Sequence, residues 1–97
     1  MDPDLPDFTI ADVVVSTAGH DAGDLFYVLE ADETWLYLVN GKDRSLEKPK
    51  QKKRKHAEKV LRSETRVAEK LRLGDKVLNS ELRRDLAYLS QKMQSQT

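Results

Sequence analysis

Cysteine is absent from the 97 residues, which excludes disulfide stapling, thiolate zinc sites and a cysteine nucleophile. Long apolar runs are absent too. The longest, residues 25–29 and 35–39, are five residues each, against about 20 for a membrane-spanning helix. The acidic start of the chain does not fit a secretory signal, which opens on basic residues, so the expected location is the cytoplasm. The most informative absence is that of one charge sign. Residues 1–41 hold nine acids and no Lys or Arg, whereas residues 42–97 hold all 17 bases and only eight acids. The formal net charge of zero is therefore −9 followed by +9. Such asymmetry points to contact with a nucleic acid or a membrane surface.

What is present divides into three stretches. At this length the chain holds one small domain with at most an appended element. Residues 1–7, with two prolines and three aspartates, read as a tail, as do residues 95–97. Between residues 8 and 39 the apolar residues are β-branched or aromatic and come in short runs, the pattern of strands. Ile10 with Val13-Val14-Val15 gives a first strand, residues 25–30 a second and residues 34–39 a third. Gly19 and Gly23 mark the first loop and Asp32-Glu33 the second turn. Asn40-Gly41 is a hairpin signal, with residues 44–47 expected to pair back as a short fourth strand. Alternation is expected to turn at least one of Phe26 and Tyr27, and one of Trp35 and Tyr37, outward.

The second stretch is a basic run. Lys48, Lys50, Lys52, Lys53, Arg54 and Lys55 occupy six of eight positions, and unaided such a segment stays extended and solvated. A last strand at residues 54–57 would complete a five-stranded barrel. The third stretch is helical. Val60, Val67 and Leu71, widened by Ala68, form one apolar stripe, with Ser63 or Thr65 as cap and Gly74 as the terminating left-handed residue. Asn79 or Ser80 is expected to cap a second helix, with Glu81 in its first turn and Leu82, Leu86, Leu89 and Met93 on one face. Val77 and Leu78 are expected to anchor the turn between the helices. Strands first and helices after them indicate an α+β fold.

The segment from Val13 through Ala18-Gly19-His20-Asp21-Ala22-Gly23, then a strand, an acidic turn, Leu36-Tyr37-Leu38-Val39 and Asn40-Gly41-Lys42, resembles a KOW motif. With the basic run and the tail residues Leu71, Gly74, Lys76-Val77, Asn79 and Glu81-Leu82-Arg83, the chain resembles the small bacterial KOW-domain RNA-binding proteins. These are relatives of the eukaryote-type large-subunit ribosomal proteins fourteen, six and twenty-seven. The resemblance implies a small five-stranded β-barrel of the Src-homology-3 type over residues 8–57, including the basic segment 48–56, and a C-terminal extension of two short helices over residues 58–94. It also implies RNA, and ribosomal RNA on or near the large subunit, as the partner. The chain departs from the pattern of the family it resembles at Thr17, Ala22 and Asp24, where many members carry Lys or Arg. That moves the expected phosphate contacts downstream.

The candidate RNA-binding residues are therefore Lys42, Arg44, Lys48, Lys50, Lys52, Lys53, Arg54, Lys55 and His56. Trp35 and Tyr37 are candidates for base stacking, worth about 1–3 kcal/mol per base where exposed. Gly19, Gly23 and Gly41 are the motif glycines. If about five of the run's cations engage phosphate, the log–log salt slope of binding is roughly −4 to −5. Arg62, Arg66, Lys70, Arg72, Arg83 and Arg84 form at most a secondary footprint, and Glu58 with Arg62 is spaced as an i,i+4 helix pair. His20 with Asp21 and Asp24 lacks any zinc spacing and reads as a turn bonding its own backbone. No phosphate loop, triad or paired-carboxylate pattern occurs. A non-catalytic monomer is expected, with no cofactor, metal, membrane partner or small-molecule substrate. The other open reading is a protein–protein adaptor using the barrel or the Leu82–Leu86–Leu89–Met93 stripe.

Overall fold

The computed structural model describes residues 7–94, so the expected tails lie outside the described residues except for Asp7. The strands are β1 (Asp12–Ser16), β2 (Leu25–Ala31), β3 (Trp35–Val39), β4 (Lys50–Lys53) and β5 (Ala57–Arg62). They are followed by helices α1 (Arg66–Leu73) and α2 (Asn79–Gln94). All neighbouring strands are antiparallel, in the order β4-β3-β2-β1-β5. The protein is an α+β fold, a five-stranded sheet followed by two helices.

The connection between the last two strands shapes the sheet. β4 and β5 lie at opposite edges, yet only the single 3-10 turn Arg54–His56 joins them. In a flat sheet those edges would stand about 19 Å apart, whereas a three-residue 3-10 turn rises about 6 Å. The sheet must curl so that its two edge strands approach one another at that end, and bulges between Val13 and Val14 and between Val28 and Glu30 supply bends. Both faces carry a core, the inner one enclosed by the curl and the other covered by the helices. Phe8, Val14, Phe26, Val28, Leu36, Leu38 and Ala57 pack together on the inner face. Ala11, Val13, Tyr27 and Val39 pack on the other, against Val67, Ala68, Leu71, Val77, Leu82, Leu86 and Leu89. Phe26 and Tyr27, adjacent and on opposite faces, are accordingly 1% and 0% exposed, which corrects the expectation that one of them points outward.

The helices are fastened by polar contacts as well as by leucine burial, which stabilises by about 1.5–3 kcal/mol per side chain. Thr65 caps α1, its hydroxyl accepting from the Ala68 N–H at 3.2 Å, and Gly74 ends it in the left-handed conformation. The Tyr27 hydroxyl reaches from under the helices to Ser63 at 2.8 Å and to the Asp85 carboxylate, to which Thr65 also donates at 2.8 Å. Burial, then the Asp85 carboxylate, push the Tyr27 phenol up to about 12. The start of α2 differs from expectation. The Glu81 carboxylate accepts from the Leu78 N–H at 3.1 Å, while Asn79 accepts from the Leu46 N–H at 2.8 Å and donates to Glu47 at 2.9 Å. Gly41 sits against this helix start. A Cβ there would stand 2.1 Å from the Asn79 carbonyl oxygen, and its φ is +75°, so only glycine fits.

Five further expectations are corrected. Residues 44–47 form turns rather than a strand, because Asn40 draws the chain into a loop by accepting from the Lys42 and Arg44 N–H groups. The basic run is not solvated coil but supplies β4 itself, and the last strand is Ala57–Arg62 rather than 54–57. Val60 and the Glu58–Arg62 pair consequently lie on a strand, with Val60 exposed. Val77 anchors the inter-helix turn as expected, but Leu78 is exposed.

Candidate nucleic-acid interface

Strand alternation sorts the basic run into two sets with opposite environments. β4 pairs with β3 in the register Trp35↔Lys53, Leu36↔Lys52, Tyr37↔Gln51 and Leu38↔Lys50. Lys53 and Gln51 thus share the outward face with Trp35 and Tyr37, and Lys50 and Lys52 share the inward face with Leu36 and Leu38. Outward, the Lys53 ammonium stands 5.7 Å from the Trp35 ring centroid, and Gln51 Nε2 donates to the Tyr37 hydroxyl at 3.3 Å. Trp35 and Tyr37 are half-buried, and Lys53 and Gln51 are exposed. The result is a ladder of two aromatic rings edged by polar and cationic groups.

Inward, Lys52 is only 7% exposed. Its ammonium donates to Ser16 Oγ at 2.6 Å, to the Ala18 carbonyl at 2.8 Å and to Asp21 Oδ1 at 2.7 Å. Lys50 lies 2.6 Å from the other Asp21 oxygen. An ammonium has three protons, so Lys52 has none left for a phosphate. Burial raises the Asp21 carboxyl, but hydrogen bonds from Lys50, Lys52 and Ser16 outweigh it and hold the group well below the usual carboxylate range. Asp21 belongs to the loop between β1 and β2, so this cluster ties the edge strand β4 to that loop across the mouth of the curl. Gly19 and Gly23 lie in the same loop, both with positive φ.

At the corner after β4 a groove of about 640 Å³ is lined by Phe8, Glu33, Thr34, Lys53, Arg54, Lys55 and Ala57. Arg54 donates from Nη1 to the Asp32 carbonyl at 2.8 Å, and its guanidinium lies 5.2 Å from the Phe8 ring centroid. Lys55 is exposed, and His56 is half-buried with its carbonyl accepting from the Thr17 N–H at 2.9 Å. Lys42 and Arg44 are exposed on the loop after β3, and Lys48 is exposed just before β4. They stand at the other end of the strand pair, about 13 Å along β3 from Trp35.

The sequence-selected residues therefore fall into three places: Trp35, Tyr37, Lys53, Arg54, Lys55 and His56 at one end, Lys42, Arg44 and Lys48 at the other, and Lys50 and Lys52 in the Asp21 cluster. Sequence reasoning missed Asp21 as their partner and Phe8 as a wall of the groove. No local signal marked this sorting, because Lys50-Gln51-Lys52-Lys53 has no apolar alternation to name its faces. Among the described residues no three His, Asp or Glu side chains gather as a metal site, and no helix is long and apolar enough to cross a membrane. The chain matches no family model and no curated protein.

Proposed function

We propose that the chain is a non-catalytic RNA-binding protein, a cytoplasmic monomer whose curled sheet is a KOW-type barrel of the Src-homology-3 kind. Its partner is ribosomal RNA on or near the large subunit. The observation that carries this reading is the outward ladder of Trp35 and Tyr37 with Lys53 over the indole, continuing into the exposed Lys55 at the corner groove. Ring faces accept bases of any sequence, and flanking cations hold the backbone. Lys42, Arg44 and Lys48 extend the phosphate track at the far end of the strand pair. The charge division supports the same reading. Of the nine acids in the first 41 residues, Asp21 is spent on Lys50 and Lys52, and Asp12 on Lys59 at 3.1 Å.

The adaptor alternative loses its most specific surface, since Leu82, Leu86 and Leu89 are buried against the protein's own sheet. The test is cosedimentation with large ribosomal subunits at graded salt. The wild type is expected in the pellet at about 50 mM salt and in the supernatant at about 200 mM, with Lys53→Gln/Lys55→Gln released earlier in the series. Pelleting that is indifferent to salt and to this substitution contradicts the reading.

A further inference from the structure

The solvent face of α2 has a composition unlike the rest of the surface. Its exposed residues are Ser80, Arg83, Arg84, Ala87, Tyr88, Gln91, Lys92 and Gln94. Three are cations and none is acidic. The two acids of this helix are turned away from that face and engaged. Glu81 pairs with Lys70 at 3.0 Å, and Asp85 accepts from Tyr27 and Thr65. Tyr88 is 53% exposed, with the Lys92 ammonium 5.7 Å from its ring centroid. Arg84 and Lys92 stand two turns apart, about 12 Å along the axis, with the small Ala87 between them. Arg62, Lys92 and the one acid Glu64 line a groove of about 450 Å³ beside the helix, whose walls include Leu61, Tyr88 and Met93. This surface is remote from the β4 corner. Arg62 is about 17 Å along β5 from Ala57, where that strand leaves the corner.

We infer that this face of α2 is a second RNA contact, taking the phosphate backbone of a structured RNA on Arg83, Arg84 and Lys92, with Tyr88 packing against a sugar or base. The inference rests on the RNA-binding reading above. The chemistry follows from what the face holds and lacks. A polyanion lying along the helix meets three cations and no acid among its exposed residues, the nearest carboxylate lining the adjoining groove being that of Glu64. A methyl group at the centre lets the backbone approach the helix. RNA helices are held chiefly through such backbone contacts. The protein then grips RNA at two separated places.

The experiment measures affinity and salt slope for an RNA hairpin carrying a single-stranded tail. Each phosphate contact contributes about five- to eightfold at about 0.1 M salt. Arg83→Gln/Arg84→Gln/Lys92→Gln is expected to bind about 125- to 500-fold more weakly and to flatten the log–log slope by about 2 to 3. Ala87→Glu, which keeps a helix-forming residue and only adds an acid to the face, is expected to weaken binding as well, with an unchanged melting temperature. Wild-type affinity and slope in both variants overturn the inference. Wild-type RNA affinity together with lost binding to polyglutamate also overturns it, assigning the face to an acidic protein. The parallel variant Lys53→Gln/Lys55→Gln separates the two proposals. Its loss of affinity with the helix variants unaffected keeps the sheet site and removes the helix face. The converse keeps the helix face and removes the sheet site.

Discussion

Lys52 and Lys53 are adjacent in sequence and opposite in circumstance. Lys52 points into the mouth of the curled sheet, where Ser16, Ala18 and Asp21 take all its protons. Lys53 points outward over Trp35. The same contrast holds for Lys50 against Lys55. A run of like charges is therefore not one functional unit once it becomes a strand. Lys50 and Lys52 hold the fold together, Arg54 is engaged by the Asp32 carbonyl, and Lys48, Lys53 and Lys55 are exposed. Substituting the run as a block would confound the two roles, since losing Lys52 strands the Asp21 carboxylate.

The largest effect expected from this comparison is on stability. Asp21→Asn leaves the buried Lys52 ammonium uncompensated, which costs about 3–5 kcal/mol, or a fall in melting temperature of at least about 12 °C. A melting temperature within a degree of wild type would refute the structural role of the inward pair. Next is Trp35→Ala, expected to weaken binding to single-stranded RNA by about 1–3 kcal/mol with the thermal melt little changed. Equal affinity would remove the ladder from the interface. Tyr27→Phe should cost about 1–2 kcal/mol in chemical denaturation, because Asp85 and Ser63 lose a partner, and should leave RNA affinity alone.

The pH dependence follows from the same groups. Asp21 is held below its ordinary value in the folded protein, so its contribution is complete above the unfolded value near 3.9 and is lost as pH falls below about 4. Tyr27 is shifted the other way, to about 12. Its contribution is complete below the unfolded value near 10 and is lost as pH rises from about 10 through about 12. Denaturation midpoints across pH check both limbs, and Asp21→Asn should flatten only the acid one. The smallest effect is the sharpest contrast: Lys53→Gln/Lys55→Gln should change stability by less than about 0.5 kcal/mol.

Much of the fold was legible in the sequence because it rests on local rules. β1, β2 and β3 followed from short β-branched and aromatic runs, and α1 from Thr65, Gly74 and the spacing of Val67 and Leu71. β4 was not legible as a strand. Four residues, three of them lysines, have little strand preference alone, and pairing with β3 and the Asp21 carboxylate overcomes it. The buried state of both Phe26 and Tyr27 was hidden for a related reason, since alternation names two faces without saying that both are covered. Within the candidate site the residue types were legible and their partition was not. It depends on Asp21, 31 residues from Lys52 in the chain.

The central claim is that within the basic run the outward cations of β4 and its corner meet RNA, whereas the inward pair Lys50 and Lys52 does not. Its most direct test is the salt dependence of RNA affinity for wild type and Lys53→Gln/Lys55→Gln, with both proteins verified as folded. The account predicts a log–log slope flatter by about 1.4 to 1.8 and affinity lower by about 25- to 60-fold at about 0.1 M salt. An unchanged slope and affinity in the folded variant would contradict it.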